Sequence, residues 1–290
     1  MIKTIVYSFL LAIFFSSPIY AQQLSKSGKD YRLKSVISVA GRQGISADTN
    51  FYYVSSSTAL YKYSKSGDLL AKNENPFKGL VKAANHFGDI DVYNGKIYTG
   101  IEWFVDGVGK DIQIAIYNAE TLQYESSIDF DPSSGQVEVC GITIDKENNI
   151  AWLADWVDGK YLYKYDLTSK KYIGKLHLRP VPQYQQGVFY VDGRVLISAD
   201  DGDADLHETD NIYLVDVKDN AKTSAYVTHF KELTEFKRAG EIEGLCIDPS
   251  NNDLLVLSNR GSRIHLGMVK GFYEGYTKEL HEVYIYEKVN

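Results

Sequence analysis

Gly244-Leu-Cys-Ile-Asp248, Asp253-Leu-Leu-Val-Leu-Ser-Asn259 and Glu282-Val-Tyr-Ile-Tyr-Glu287 are the last three apolar stretches of this 290-residue chain. Each runs five to seven residues and is rich in Val, Ile, Leu and Tyr, the length and composition of a β-strand. The same order stands four times upstream. A glycine opens a short strand at Gly44 (QGISAD), Gly88 (FGDID), Gly141 (CGITID) and Gly187 (QGVFYV). An aromatic strand then follows at ALYKYS (59), QIAIYN (113), YLYKYD (161) and NIYLVD (211). Repeats of roughly 40–50 residues built from short strands indicate a propeller or a related array.

Each repeat reads as four strands. The third gives GITID (141–145), NIAWLAD (149–155), YLYKYDL (161–167) and KYIGKLHL (171–178), with turn signals KENN and TSK between them. The fifth supplies three strands and then the chain stops at Asn290. Its fourth strand is available at the other end, where YRLKSVISV (31–39) has no partner in its own repeat. Pairing the two removes two exposed sheet edges at once. The expected fold is all-β: a five-bladed β-propeller, four antiparallel strands per blade, with the N-terminal strand closing the last blade. It forms a single domain over 22–290, with blades near 40–84, 85–137, 138–183, 184–240 and 241–290 plus strand 31–39.

Residues 1–21 stand apart. Lys3, an apolar run from Ile5 to Phe15 and a small residue, Ala21, give the order of a secretory signal peptide. A secreted or periplasmic protein beginning near Gln22 is expected. Losing Lys3 and no acid takes the formal charge from −7 to −8. An acidic surface has no general attraction for phosphate backbones or anionic lipid, so neither nucleic acid nor membrane is an expected partner. Cys140 and Cys246 either form one disulfide in an oxidising compartment or are two small buried residues.

In a propeller the innermost strand starts on the face where the second strand ends, so two sets of residues converge on one rim. The residues before the glycines supply Gln43, His86, Glu138, Gln186, Glu241 and Glu243, with Asp89 just inside the second blade. The ends of the second strands supply Ser56, Glu102, Asp155, Asp200 and Asn259, four of them carrying a carboxylate or amide oxygen. Such a ring suits a hard divalent cation, calcium, which takes about six to eight oxygen ligands. Local capping of strand ends by acids is the alternative for this column. Two blades share a longer phrase, Glu102-Trp103-Phe104-Val105-Asp106-Gly107 and Asp155-Trp156-Val157-Asp158-Gly159. Trp103 and Trp156 either wall a sugar or small-molecule site or pack between blades. The loop Asp200-Asp201-Gly202-Asp203-Ala204-Asp205 spaces acids as calcium loops do, without the glycine and glutamate of an EF-hand. Between Arg260 and Glu282 lies an insertion of 21 residues on the mouth face, suited to a flap. Arg260, Arg263 and Lys270 would bring positive charge over the acidic rim and orient an anionic substrate.

The stretch from Glu241 to Asn259 resembles the repeat phrase of bacterial secreted propellers of the SdiA-regulated class, and more loosely the inner-strand phrase of the SMP-30/gluconolactonase lactonases. In those lactonases a Glu, an Asn and an Asp from different blades hold a divalent metal that polarises the lactone carbonyl. The resemblance implies Glu243 and Asn259, with Asp200 or Asp155, as the matching positions.

Two functions follow as expectations. One is a metal-dependent hydrolase or lyase acting on a small ester, lactone or sugar derivative. There the cation sits on Glu102, Asp155, Asp200, Asn259 and Glu243, a proton moves through His86, Glu138 or Glu243, and the ligand is bound by Trp103, Trp156, Gln186 and Arg260. The other is a non-catalytic module binding a small molecule or carbohydrate, with calcium only stiffening the rim.

Overall fold

The computed structural model describes residues 22–156, 158–235 and 239–289. The signal segment expected at 1–21 lies outside them. Chain order runs β1 (Tyr31–Ser38), then a meander of β2 (Gly44–Ala47), β3 (Phe51–Ser56), β4 (Ala59–Ser64) and β5 (Leu69–Asn73). The next meander holds β6 (His86–Tyr93), β7 (Lys96–Val105), β8 (Val108–Asn118) and β9 (Tyr124–Asp129). The third holds β10 (Gly141–Asp145), β11 (Ile150–Ala154), β12 (Tyr161–Asp166) and β13 (Lys171–Arg179). The fourth holds β14 (Gln185–Val191), β15 (Arg194–Ala199), β16 (Asn211–Asp216) and β17 (Ser224–Glu232). The chain ends with β18 (Ile242–Ile247), β19 (Leu254–Arg260), a hairpin of β20 (Ser262–His265) and β21 (Met268–Phe272), and β22 (Leu280–Lys288).

Within each meander neighbouring strands pair antiparallel in sequence order. The last sheet has the order β1-β22-β19-β18, so the N-terminal strand zips onto the C-terminal one with Tyr31 opposite Lys288 and Ser38 opposite Glu282. One pairing was not legible in the repeats. The outer strands β13 and β17 run parallel, His177–Arg179 beside Ser224–Tyr226, and join the third and fourth meanders into one eight-stranded sheet. Two outer edges that would each expose unpaired backbone groups thereby satisfy one another.

The innermost strands β2, β6, β10, β14 and β18 touch in a closed ring, β18 returning to β2. Their position explains their composition. Every residue of β2, β10 and β18 is buried because neighbouring sheets cover both faces, whereas β1 is mostly exposed. The apolar core lies between the sheets, with Trp152, Tyr53, Tyr117, Tyr165 and Tyr286 among its largest buried side chains. Cys140 and Cys246 are free and buried, the second of the two readings given above.

Asp89 occupies the axis. Its Oδ1 accepts the Ile90 N–H at 2.8 Å and its Oδ2 accepts the Val188 N–H at 3.2 Å, from two different sheets. Its own N–H donates to the Cys140 carbonyl at 2.7 Å. A Cβ on Gly44 would stand 2.6 Å from Asp89 Oδ1, one on Gly187 would stand 2.8 Å from Oδ2, and one on Gly244 would collide with the same carboxylate. At Gly44, Gly187 and Gly244 the recurring glycine is therefore a close-approach residue: three inner strands converge on one side chain that leaves no room for a methyl group, while Gly88 is crowded by the Cys140 carbonyl instead. A layer deeper, Asp91 Oδ2 accepts from the Thr143 hydroxyl at 2.9 Å and from the Ile144 N–H at 2.8 Å. The bore is thus filled with hydrogen-bonded polar groups below the mouth.

Candidate functional site at the channel mouth

Above Asp89 the starts of the inner strands build a pocket. His86 begins β6, Glu138 precedes β10, Gln186 lies at the start of β14, and Glu241 and Glu243 flank Ile242 at the start of β18. All five line one narrow space of ≈ 30 Å³ together with Arg42, Gln43, Phe104, Cys140, Trp156 and Gly267. The rule that residues before the glycines converge is met by every member of that column.

Burial sets the chemistry. Glu138 is 3% exposed and accepts the Trp156 N–H on Oε2 at 2.7 Å. Desolvation, reinforced by the nearby Glu102 charge, holds its carboxyl well above the usual carboxylate range. Glu243 is also held well above that range, by burial and then by the charge of Glu241. Glu241 is pushed up to about 7 by burial, with Arg42 pulling the other way. The Arg42 guanidinium lies 3.4 Å from Glu241 Oε2 and 3.2 Å from Glu279 Oε1. Burial would raise Glu279 too, yet a hydrogen bond from His281 and the charge of Arg42 bring it down to about 2. The mouth therefore mixes carboxyls that keep a proton near neutrality with one that has lost it. His86 stacks on Phe104 with ring centroids 4.9 Å apart, and its Nδ1 lies 3.4 Å from Glu102 Oε1. Phe104 is held by Asn85, which accepts the Phe104 N–H at 2.7 Å and donates to its carbonyl at 3.0 Å.

The second-strand column does not come together as one cation cage. Glu102 is fully buried and accepts the Val139 N–H at 3.1 Å. Asp155 accepts the Tyr163 hydroxyl at 2.9 Å, and burial raises its pKa to about 7. Asn259 donates Nδ2 to Glu243 Oε1 at 2.5 Å and to the Arg42 carbonyl at 3.0 Å, so it turns its nitrogen toward the glutamate. Asp200 lines a separate vestibule beside the pocket. Among the described residues, no group of three or more His, Cys, Asp or Glu side chains is arranged to hold a metal ion. The expected ring of Glu102, Asp155, Asp200, Asn259 and Glu243 is not drawn together as one set: Glu102 bonds the backbone at Val139, Asp155 bonds Tyr163, Asn259 bonds Glu243, and Asp200 lies in the vestibule.

Two ligand assignments change as well. Arg260 does not reach over the rim, because its Nε and NH2 grip Glu282 at 2.8 Å each and its NH1 donates to the Tyr276 hydroxyl at 3.0 Å. Trp103 is 44% exposed and lines a surface recess with Val105, Asp106, Val108 and Lys110. A register shift between Ile101 and Trp103 in the β7–β8 pairing breaks the equivalence of the two tryptophan phrases. Phe104 enters the pocket in its place. The DGDAD loop is a capped turn: Asp203 accepts the N–H groups of Asp205 and Leu206, and Asp201 accepts from Asn211 and Tyr213.

The insertion after Arg260 is a hairpin, and its tip crosses the mouth. Gly267, in the left-handed region at φ 73°, lines the pocket; a Cβ there would meet the Phe104 ring at 2.9 Å. Arg42, Phe104 and Cys140 were missed from the sequence. Arg42 had the signal of a lone cation beside Gln43, one residue before the column that was read.

No protein-family model and no curated protein matches the chain. Solved structures do. The chain is similar to the WD40 repeats of RRP9, with 9% identity and a TM-score of 0.52, over 88% of this chain and 99% of that one. It is also similar to a protein of unknown function from Bacteroides caccae, with 12% identity and a TM-score of 0.46 over 74% of this chain and 69% of that one. A chain of the mitotic checkpoint complex matches at 7% identity and a TM-score of 0.41, over 84% of this chain, which spans 62% of that one. The RRP9 likeness is one of fold, and with the closed ring of inner strands it makes this chain a β-propeller.

Proposed function

We propose that the protein is a five-bladed β-propeller of the secreted or periplasmic space that binds a small polar molecule at its channel mouth. The observation that supports this reading most is the convergence of His86, Glu138, Gln186, Glu241 and Glu243, from four successive meanders, on one pocket. Trp156 gives that pocket an apolar wall, and the Gly267 hairpin gives it a cover. Concave sites with a few convergent polar groups and perturbed carboxyls are where ligands bind. The likeness of Glu241–Asn259 to secreted bacterial propellers agrees with the location. Calcium has no part in this reading, because Glu102, Asp155, Asp200 and Asn259 do not converge as one oxygen set.

A second reading, an acid–base hydrolase or lyase for a small ester, lactone or sugar derivative, is favoured by the protonated carboxyls beside His86. Glu138 or Glu243 would give a proton to a leaving oxygen while His86 takes one from water.

The test is a thermal-shift and calorimetry panel of sugars, lactones, amines and divalent cations. It is run on the wild type, Trp156→Ala and Glu138→Gln, with and without EDTA. A ligand that stabilises the wild type and neither variant supports the binding site. Turnover that persists in EDTA and vanishes in His86→Ala moves the assignment to the enzyme. A protein indifferent to every compound sinks both.

A further inference from the structure

Glu102 is wholly buried, and its surroundings set it apart from the other acids near the mouth. It lies on β7 directly opposite His86 on β6, so the two side chains leave the sheet on the same face. At this residue the pairing of β7 with β8 shifts, Ile101 facing Gln113 and Trp103 facing Lys110. Irregularities of this kind re-aim a side chain. Gly109 on β8 makes the room, since a Cβ there would run into the Glu102 carboxyl. One oxygen, Oε2, accepts the Val139 N–H at 3.1 Å. The other, Oε1, lies 3.4 Å from His86 Nδ1.

Those two atoms have only each other. Glu102 Oε1 and His86 Nδ1 are both buried and make no other hydrogen bond. Among the described residues, His86 is the one ion-pair partner of Glu102. A carboxylate out of reach of water needs a donor, and the Nδ1–H of the imidazole is the one that faces this oxygen. The spacing is longer than a formed hydrogen bond, as is common for a base and its orienting group before a ligand closes the site. Stacking on Phe104, with the ring planes 29° apart, holds the imidazole in this orientation. His86 Nε2 stands differently. It is not one of the buried atoms left without a partner, and among the described residues none bonds it. The side chain is 16% exposed and lines the pocket, so Nε2 is the ring nitrogen that opens onto it.

We propose that Glu102 is the positioning residue of a histidine base: it takes the Nδ1–H of His86 and leaves Nε2 bare toward the pocket. The inference rests on the acid–base reading above and supplies the group that decides which ring nitrogen carries the proton. That choice follows from the hydrogen bond made by the other nitrogen. Nε2 then takes a proton from a water or hydroxyl in the pocket. The bond broken is O–H, the bond formed is Nε2–H, and the electron pair stays on the oxygen that attacks. The imidazolium so formed keeps its charge beside the Glu102 carboxylate until Nε2 returns the proton to a departing oxygen. In the Ser-His-Asp triad, exchanging the orienting carboxylate for its amide leaves the geometry intact yet costs about 10⁴ in turnover, because the tautomer is wrong.

The experiment is long-range proton–nitrogen correlation NMR of the imidazole rings at about pH 8, above the ordinary histidine pKa of about 6.5. His86 is assigned by its loss in His86→Ala. In the wild type its ring is expected to carry the proton on Nδ1, with Nε2 bare. Glu102→Gln tests the cause. The amide oxygen stays with the Val139 N–H, so the NH2 turns to Nδ1 and the proton moves to Nε2. The two nitrogen shifts of His86 should therefore exchange, whereas a merely structural Glu102 would leave the tautomer as it was. A wild type with the proton on Nε2, or on both nitrogens, overturns the assignment. So does a folded Glu102→Gln that keeps the wild-type tautomer. The wild-type spectrum decides the case even where the variant does not fold. A bare Nε2 in a protein inert toward every lactone of the earlier panel upholds the orienting role and removes the hydrolase. A protonated Nε2 in a protein whose turnover needs His86 overturns the orienting role and leaves the hydrolase standing.

Discussion

The Asp155 carboxyl ties pH to stability. Burial pushes it up to about 7, against the pull of the Tyr163 hydroxyl and of the backbone at Glu138 and Val137. A carboxyl that titrates higher folded than unfolded binds its proton more tightly in the native state. Its contribution is complete below about pH 4 and is lost as pH rises through about 7. Asp155→Asn keeps a partner for Tyr163 and removes the charge. Its thermal midpoint should therefore fall less between pH 5 and pH 8 than that of the wild type, with a relative gain at pH 8 on the order of 2–4 kcal/mol. Midpoints measured across that range check it. Gly244→Ala acts at the axis instead, driving a methyl into the Asp89 carboxylate and toward the Cα of Gly44. A loss of at least about 2 kcal/mol in urea unfolding is expected, the scale of an overpacked core. At this scale the sequence was half readable. Position relative to a repeated glycine marks which residues reach the mouth, because strand geometry fixes it. Whether a side chain there turns to a neighbour, as Arg260 does to Glu282, depends on partners far away in the chain.

Among the elements, β7 and the β20–β21 hairpin shape the pocket, through Phe104 and Gly267. The shift after Ile101 sends Trp103 outward and Phe104 inward. A period-of-two reading of the strand cannot anticipate this, since one displaced residue reverses every face that follows. The hairpin was legible only as an insertion. Its strands carry exposed Met268, Val269 and Phe272, and few of its residues are buried. Replacing residues 263–272 by a short glycine linker should change unfolding free energy by less than about 1 kcal/mol, because little apolar surface is buried there. Ligand affinity, in contrast, should drop and dissociation quicken. Stopped-flow release of a bound ligand, run beside thermal melts of the same variant, separates the two effects. A melting point that collapses with the excision would show that the hairpin holds the fold together and does not serve as a cover.

At the scale of the molecule, closure is a matter of two strands. Tyr31 is 2% exposed and packs on Phe230, while the rest of β1 mainly supplies backbone partners to β22. Removing residues through Ser38 leaves β22 as a bare edge. Such a variant should aggregate and lose its single cooperative transition, which size-exclusion chromatography and denaturant melts would detect. Repetition made this architecture legible, since each repeat shows the same burial problem solved in the same way. The parallel seam between β13 and β17 stayed hidden because outer strands are too polar to advertise a partner. Asp89 has a further effect. With that side chain knitted into several sheets, the bore is blind, and nothing can cross from one side of the disc to the other. A ligand held at the mouth as proposed would depart by the door through which it came, past Gly267, so occupancy and exit would share one gate and a second molecule would wait for the first.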